Sequence, residues 1–295
     1  MKSTVVAALF LFAVSPAFAQ GAATAVLADP APDAAYPARM AVVHIPTHGV
    51  LINGVLYLAA DAGPHPTLVL FHGMPGNEQN LDLAQAVRRV GWNVLTLHYR
   101  GSWGSPGVYS YPHLVEDGEA ALAFVRSPAN AAAYRIDPGR IVLAGHSSGG
   151  FVAVNTAARS PAPVQGLILI SGTDDAQEAL TAKAAGPAAW RKFIMDAFDG
   201  METLTGCTPA GLADQLLADG PAWTFKAAAP KLTQTPLLVV TSDDGYAPEG
   251  EALAKALSAL GQPQPQTVHF PTDHPYSDHR IALQQTVADW LARVR

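Results

Sequence analysis

Apolar positions along the chain follow two alternating rhythms. Short continuous apolar runs fall at residues 41–45, 51–58, 67–71, 93–97, 141–144, 166–170, 237–241 and 267–270. Several are Leu-rich and β-branched, such as Leu68-Val69-Leu70-Phe71 and Leu237-Leu238-Val239-Val240. Unbroken runs of this kind suit strands buried on both faces of a mostly parallel sheet. Helical spacing fills the intervals at 81–89, 115–126, 148–158, 249–260 and 278–294. In the last, Leu283, Val287, Trp290, Leu291 and Val294 form one stripe, with Ser277 placed to cap it. Strands alternating with helices predict a doubly wound α/β domain. The first two runs flank the turn-prone Gly49 and Asn53-Gly54, which predicts an antiparallel edge.

Residues 171–235 break the alternation. They hold short helical patterns interrupted by Gly186-Pro187, Gly200, Gly206, Pro209 and Gly220-Pro221. This stretch reads as a small helical cap insertion over the C-terminal edge of the sheet, within a domain spanning 41–295. Residues 20–40 are rich in Ala, Pro and Gly and read as a flexible leader. Ahead of them stand Lys2, an uncharged apolar run at 5–14, Pro16 and Ala17-Phe18-Ala19. That order is a signal peptide over 1–19, cleaved after Ala19. Its apolar run is far shorter than the ~20 residues that span a bilayer. The reading is therefore export to the periplasm or beyond, without stable membrane insertion.

Composition narrows the function. Of 295 residues, 49% are hydrophobic and 14% charged, enough to bury one sizeable core. The net charge of −6 and the lack of a basic run give no electrostatic grip on nucleic acid. Cys207 is the sole cysteine, so an internal disulfide is impossible, and it sits away from any strand–turn–helix pattern. Ten histidines are present, but none has metal-ligand spacing; His44 and His48 are four apart across Pro46. No glycine-rich phosphate loop occurs, so neither a metal nor another cofactor is expected.

The chemistry-bearing stretch is Gly145-His146-Ser147-Ser148-Gly149, a G-x-S-x-G with an apolar strand before it and a helix-compatible run after it. Such a turn pushes the hydroxyl of Ser147 out at the top of a sheet as a nucleophile, with a helix N-terminus behind it. Ser148 is the competing hydroxyl, but His146 rather than glycine lies two residues before it. Upstream, the strand at 67–71 runs straight into His72-Gly73-Met74-Pro75-Gly76.

With these two motifs in order, the sequence resembles the α/β-hydrolase superfamily, in its esterase, dienelactone-hydrolase-like and serine-peptidase-like branches. The resemblance covers residue 40 to the C-terminus. It implies an oxyanion hole from the backbone N–H groups of Met74 and Ser148, with His72 and Gly73 supporting the loop. It also implies the chain order serine, acid, histidine. The acid then follows the strand at 237–241, in Ser242-Asp243-Asp244-Gly245, where the family register selects Asp244 and leaves Asp243 as the alternative. The base then lies after the last strand, in Asp273-His274-Pro275-Tyr276-Ser277, as His274, with His279 as the alternative.

The implied activity is hydrolysis through an acyl-enzyme, on a small-molecule ester or, in the second reading, a short peptide. His98-Tyr99-Arg100-Gly101-Ser102-Trp103-Gly104 follows another strand and resembles a structural arginine loop of these relatives. Trp103, Tyr109 and Tyr111 are candidates either for pocket lining or for core.

Overall fold

This computed structural model describes residues 26–262 and 265–294; the segment 1–19 that the sequence reads as a signal peptide lies outside them. Eight strands form one sheet: β1 (Arg39–Thr47), β2 (Val50–Leu58), β3 (His65–Phe71), β4 (Asn93–Leu97), β5 (Ile136–His146), β6 (Gly166–Ile170), β7 (Leu237–Thr241) and β8 (Gln266–His269). Their spatial order is β1-β2-β4-β3-β5-β6-β7-β8. β1 pairs with β2, and β2 with β4, antiparallel; every other neighbour is parallel. The predicted α/β-hydrolase architecture is thus present, with its antiparallel edge.

Of the two turn-prone sites, Gly49 makes the turn of that edge and Asn53-Gly54 does not. The hairpin bends at His48-Gly49, both with positive φ (41° and 84°), the geometry that two-residue hairpins favour. Asn53-Gly54 lies inside β2, opposite His44 and Val43. Close packing favours glycine at 54, because a Cβ there would sit 3.0 Å from the Thr96 carbonyl oxygen, tighter than an ordinary contact.

The unbroken apolar runs are explained by the two layers. Leu68, Leu70, Val142, Ala144, Ile168, Ile170, Leu238 and Val240 face a layer containing α1 (Leu81–Arg89) and α10 (Arg280–Arg293). Their alternate neighbours Val69, Phe71, Leu143, Leu167, Leu169, Leu237 and Val239 face the opposite layer. That layer holds α2 (Tyr111–Arg126), α4 (Ser148–Arg159) and α9 (Ala247–Ala259), with α3 (Pro128–Tyr134) beside them. Both sides of each central strand are buried, so period-two alternation disappears.

Helix α2 starts four residues before the predicted 115, where Ser110 accepts the N–H of His113 and Pro112 fits the first turn. Helix α10 starts at Arg280, capped at His279; Ser277 instead donates its N–H to Asp273 at 2.7 Å. Residues 171–235 carry α5 (Asp175–Ala184), α6 (Pro187–Ala197), α7 (Pro209–Trp223) and the short α8 (Phe225–Ala228), between β6 and β7. This segment is tied down by backbone bonds: Trp103 N–H to Thr203, Thr205 N–H to Gly101 and Tyr109 N–H to Thr205, at 2.7–3.2 Å.

Candidate active site

Strand β5 ends at His146 and α4 begins at Ser148, so Ser147 is the single residue between them. Its φ of 55° and ψ of −132° cost a non-glycine residue ~1–3 kcal/mol. Main-chain bonds enforce this geometry. The Ser147 N–H donates to Ile170 at 3.1 Å, and its carbonyl accepts from Gly150 (2.7 Å) and Thr173 (3.1 Å). The flanking glycines meet a packing demand. A Cβ on Gly145 would lie 1.9 Å from the Gly149 carbonyl oxygen, and one on Gly149 2.2 Å from that of Phe71.

Ser147 opens on a cleft of about 340 Å³, lined also by Met74, Ser148, Asp244, Tyr246 and His274. Ser148 is the first residue of α4, so its N–H has no acceptor a turn earlier. Gly73 lies so close to the nucleophile that a Cβ would stand 2.6 Å from that of Ser147. His72 is buried, with Nδ1 2.7 Å from the Gly73 carbonyl oxygen, and Tyr99 donates its hydroxyl to the His72 carbonyl at 3.0 Å. Burial drives the His72 ring down to about 4, so it is neutral at neutral pH and acts as a strut of the loop. Trp103 braces the same loop by donating Nε1–H to Pro75 at 2.8 Å. Tyr109 belongs to the core; Tyr111 is buried and also reaches the cleft. Arg100 binds Asp117 at 2.7 Å, inside the fold.

The two aspartates separate cleanly. Asp244 accepts Nδ1–H of His274 at 2.7 Å, the Ser242 hydroxyl at 2.8 Å and the Tyr246 N–H at 2.9 Å. Burial raises this carboxyl, but the hydrogen bonds from His274, Ser171, Tyr246 and Ser242 outweigh burial and hold it well below the usual carboxylate range. Asp243 is exposed and faces His269 at 3.2 Å. His279 faces Asp278 at 2.8 Å and lies outside the cleft lining.

Support that the sequence reading did not single out comes from His146 and Tyr276. His146 is buried and shares a 3.0 Å hydrogen bond, through Nε2, with the His274 carbonyl. Burial first, then the neighbouring His274, lower its ring to about 3. Tyr276 is fully buried; its hydroxyl donates to the Val240 carbonyl at 3.0 Å and meets the Ser171 hydroxyl at 2.9 Å. The signal for Tyr276 stood in the Asp-His-x-Tyr-Ser segment. That for His146 was its place beside Ser147.

Residues 71–276 match the α/β-hydrolase fold family. The chain belongs to that family. Among solved structures it resembles EstE1, a thermophilic carboxylesterase cloned from a metagenomic library, at 22% identity and TM-score 0.61 over 94% of both chains. It also resembles an esterase of Pyrobaculum calidifontis, at 19% identity and TM-score 0.61 over 94% of this chain and 91% of that one. These likenesses are of fold. The sn-1-specific diacylglycerol lipase ABHD11 of Xenopus tropicalis is 31% identical over 129 residues, 42% of this chain and 37% of that protein. The α/β-hydrolase domain-containing protein WAV2 of Arabidopsis thaliana is 32% identical over 106 residues, 35% of this chain and 33% of that protein. The chain thus spans about a third of the length of these curated relatives.

Proposed function

We propose that this α/β hydrolase is an exported serine esterase acting through Ser147, His274 and Asp244. The observation that carries the reading is the 2.7 Å bond from His274 Nδ1 to Asp244 beside a serine held in a strained turn on the same cleft. With Nδ1–H engaged, Nε2 is the nitrogen left to take a proton from Ser147. The hydroxyl attacks the ester carbonyl as His274 accepts its proton. The N–H groups of Met74 and Ser148 receive the oxyanion. Collapse expels the alcohol, which leaves with the proton from His274. Water, deprotonated by His274, then releases the acid and frees Ser147. Asp244 fixes the imidazole tautomer and stabilises its charged form.

The likeness in fold to carboxylesterase structures and the small size of the cap support an ester over a peptide. The test is hydrolysis of p-nitrophenyl acyl esters against aminoacyl p-nitroanilides, with fluorophosphonate labelling of Ser147. Preference for the esters and loss of label in Ser147→Ala are expected. Faster anilide turnover would replace the ester reading with a peptidase, and an unlabelled wild type would remove both.

Export is the second part of the proposal, supported by Lys2, the apolar run at 5–14 and Ala17-Phe18-Ala19. N-terminal sequencing of protein expressed in a Gram-negative host should begin at Gln20. An intact Met1 in the soluble fraction of the cytoplasm would overturn it.

A further inference from the structure

The mechanism uses one carboxylate of the cleft and leaves four others idle: Asp175, Glu178, Asp196 and Asp199. No lysine or arginine is among the residues lining it. Two of the four have local partners. Asp196 pairs with the exposed Lys192, and Asp199 accepts the N–H of Gly200 at 2.9 Å.

Asp175 and Glu178 are placed differently. They sit three residues apart in the first turn of α5 and so share a face of that helix. Asp175 is only 5% exposed. Its Oδ1 accepts the Thr173 hydroxyl; Oδ2 is buried without a close hydrogen-bond partner among the described residues, although the hydroxyls of Ser148 and Tyr111 also act on this carboxyl and lower it. Behind them stands Glu249, in the first turn of α9, which accepts the N–H of Asp174. Burial, reinforced by the neighbouring Glu249, pushes Glu178 up to about 9; burial, with repulsion from Asp175 and against hydrogen bonds from Asp174 and Glu178, pushes Glu249 up to about 7. Burial also raises Asp175 to about 6, against hydrogen bonding that lowers it. These acids therefore retain protons that solvent-exposed carboxyls would release. Tyr111, Phe193 and Tyr246 line the same cleft, and the faces of such rings attract cations.

We infer that the cleft selects esters carrying a positively charged group, an ammonium in the acyl or the alcohol part, which Asp175 and Glu178 receive. The inference rests on the esterase reading and specifies its substrate class. A cation entering here drives off the protons that the acids hold in its absence. It then pairs with desolvated carboxylates, where a charge interacts more strongly than in water. An uncharged ester of the same shape gains neither effect.

The experiment compares kcat/KM within two charge-isosteric pairs. One is acetylthiocholine against its carbon analogue, with C(CH3)3 in place of N(CH3)3+. The other is a p-nitrophenyl ester of a trimethylammonio acid against the same carbon replacement. The charged member of at least one pair should be favoured by about tenfold or more. Asp175→Asn and Glu178→Gln should each pull that ratio toward one, with Ser147 still labelled by fluorophosphonate. A ratio of one or less in both pairs, with the uncharged esters turned over, overturns this inference and leaves the esterase standing. No turnover of any ester and no labelling of Ser147 removes both. Should Asp175→Asn fail to fold, the wild-type ratios and Glu178→Gln decide the matter.

Discussion

The side chain of His146 is hydrogen-bonded through Nε2 to the main-chain carbonyl of His274, across 3.0 Å. The residue before the nucleophile thus holds the loop that carries the base, and their rings lie 4.6 Å apart. His146→Ala should lower kcat by about 10²-fold, the scale of a small misplacement of catalytic groups, with KM little changed. Gln, whose amide can donate to the same carbonyl, should recover much of the loss. Equal damage to kcat and KM, with no rescue by Gln, would assign His146 to general packing.

The neighbouring aspartates make a paired test. Asp244→Asn should cost roughly 10⁴-fold in kcat, because the imidazole loses the partner that fixes its tautomer. Asp243→Asn removes only an exposed contact to His269 and should stay within about twofold of wild type. The reverse order of effects would move the acid to position 243.

Gly73 is packed against the nucleophile, with room for no side chain. Gly73→Ala should therefore reduce ester hydrolysis by about 10²-fold or more through displacement of Ser147. Unchanged turnover would show that the loop yields without disturbing the site.

The Glu178–Glu249 pair gives stability a definite slope. Both are raised in the folded state, to about 9 and about 7, so the native protein binds protons that the unfolded chain releases near pH ~4.3. Their contribution is fully present at low pH and is lost as pH rises through these values. Asp244 works in the opposite sense, but its contribution is lost only in stronger acid, outside this window. The melting temperature should fall between about pH 6 and about pH 9, and Glu178→Gln should flatten that decline. Identical slopes in variant and wild type would refute the assignment.

The sheet could be read from sequence because burial on both faces makes each central strand a continuous apolar run. Where elements begin was less accessible. The short helix α3 holds too few residues to show a period, and Asn53-Gly54 has the composition of a turn while packing as strand. At the site, Ser147 announced itself because the turn demands glycine on both sides. His274 and Asp244 were placed by their positions after strands, as family resemblance implied. The carboxylates on α5 carried no motif. Their significance comes from burial and from their meeting Glu249, seventy-one residues onward from Glu178, which only the folded chain brings about.

The backbone bonds joining residues 203–205 to the loop at 101–109 have a consequence for how the cleft can diversify. That part of the cap is stitched to the scaffold next to the oxyanion loop and resists displacement. Helix α6, by contrast, buries none of its residues fully, yet contributes Phe193, Asp196 and Ala197 to the cleft. Substitutions there can reshape the chamber without disturbing the frame, so descendants of this protein would acquire new preferences mainly by rewriting one helix.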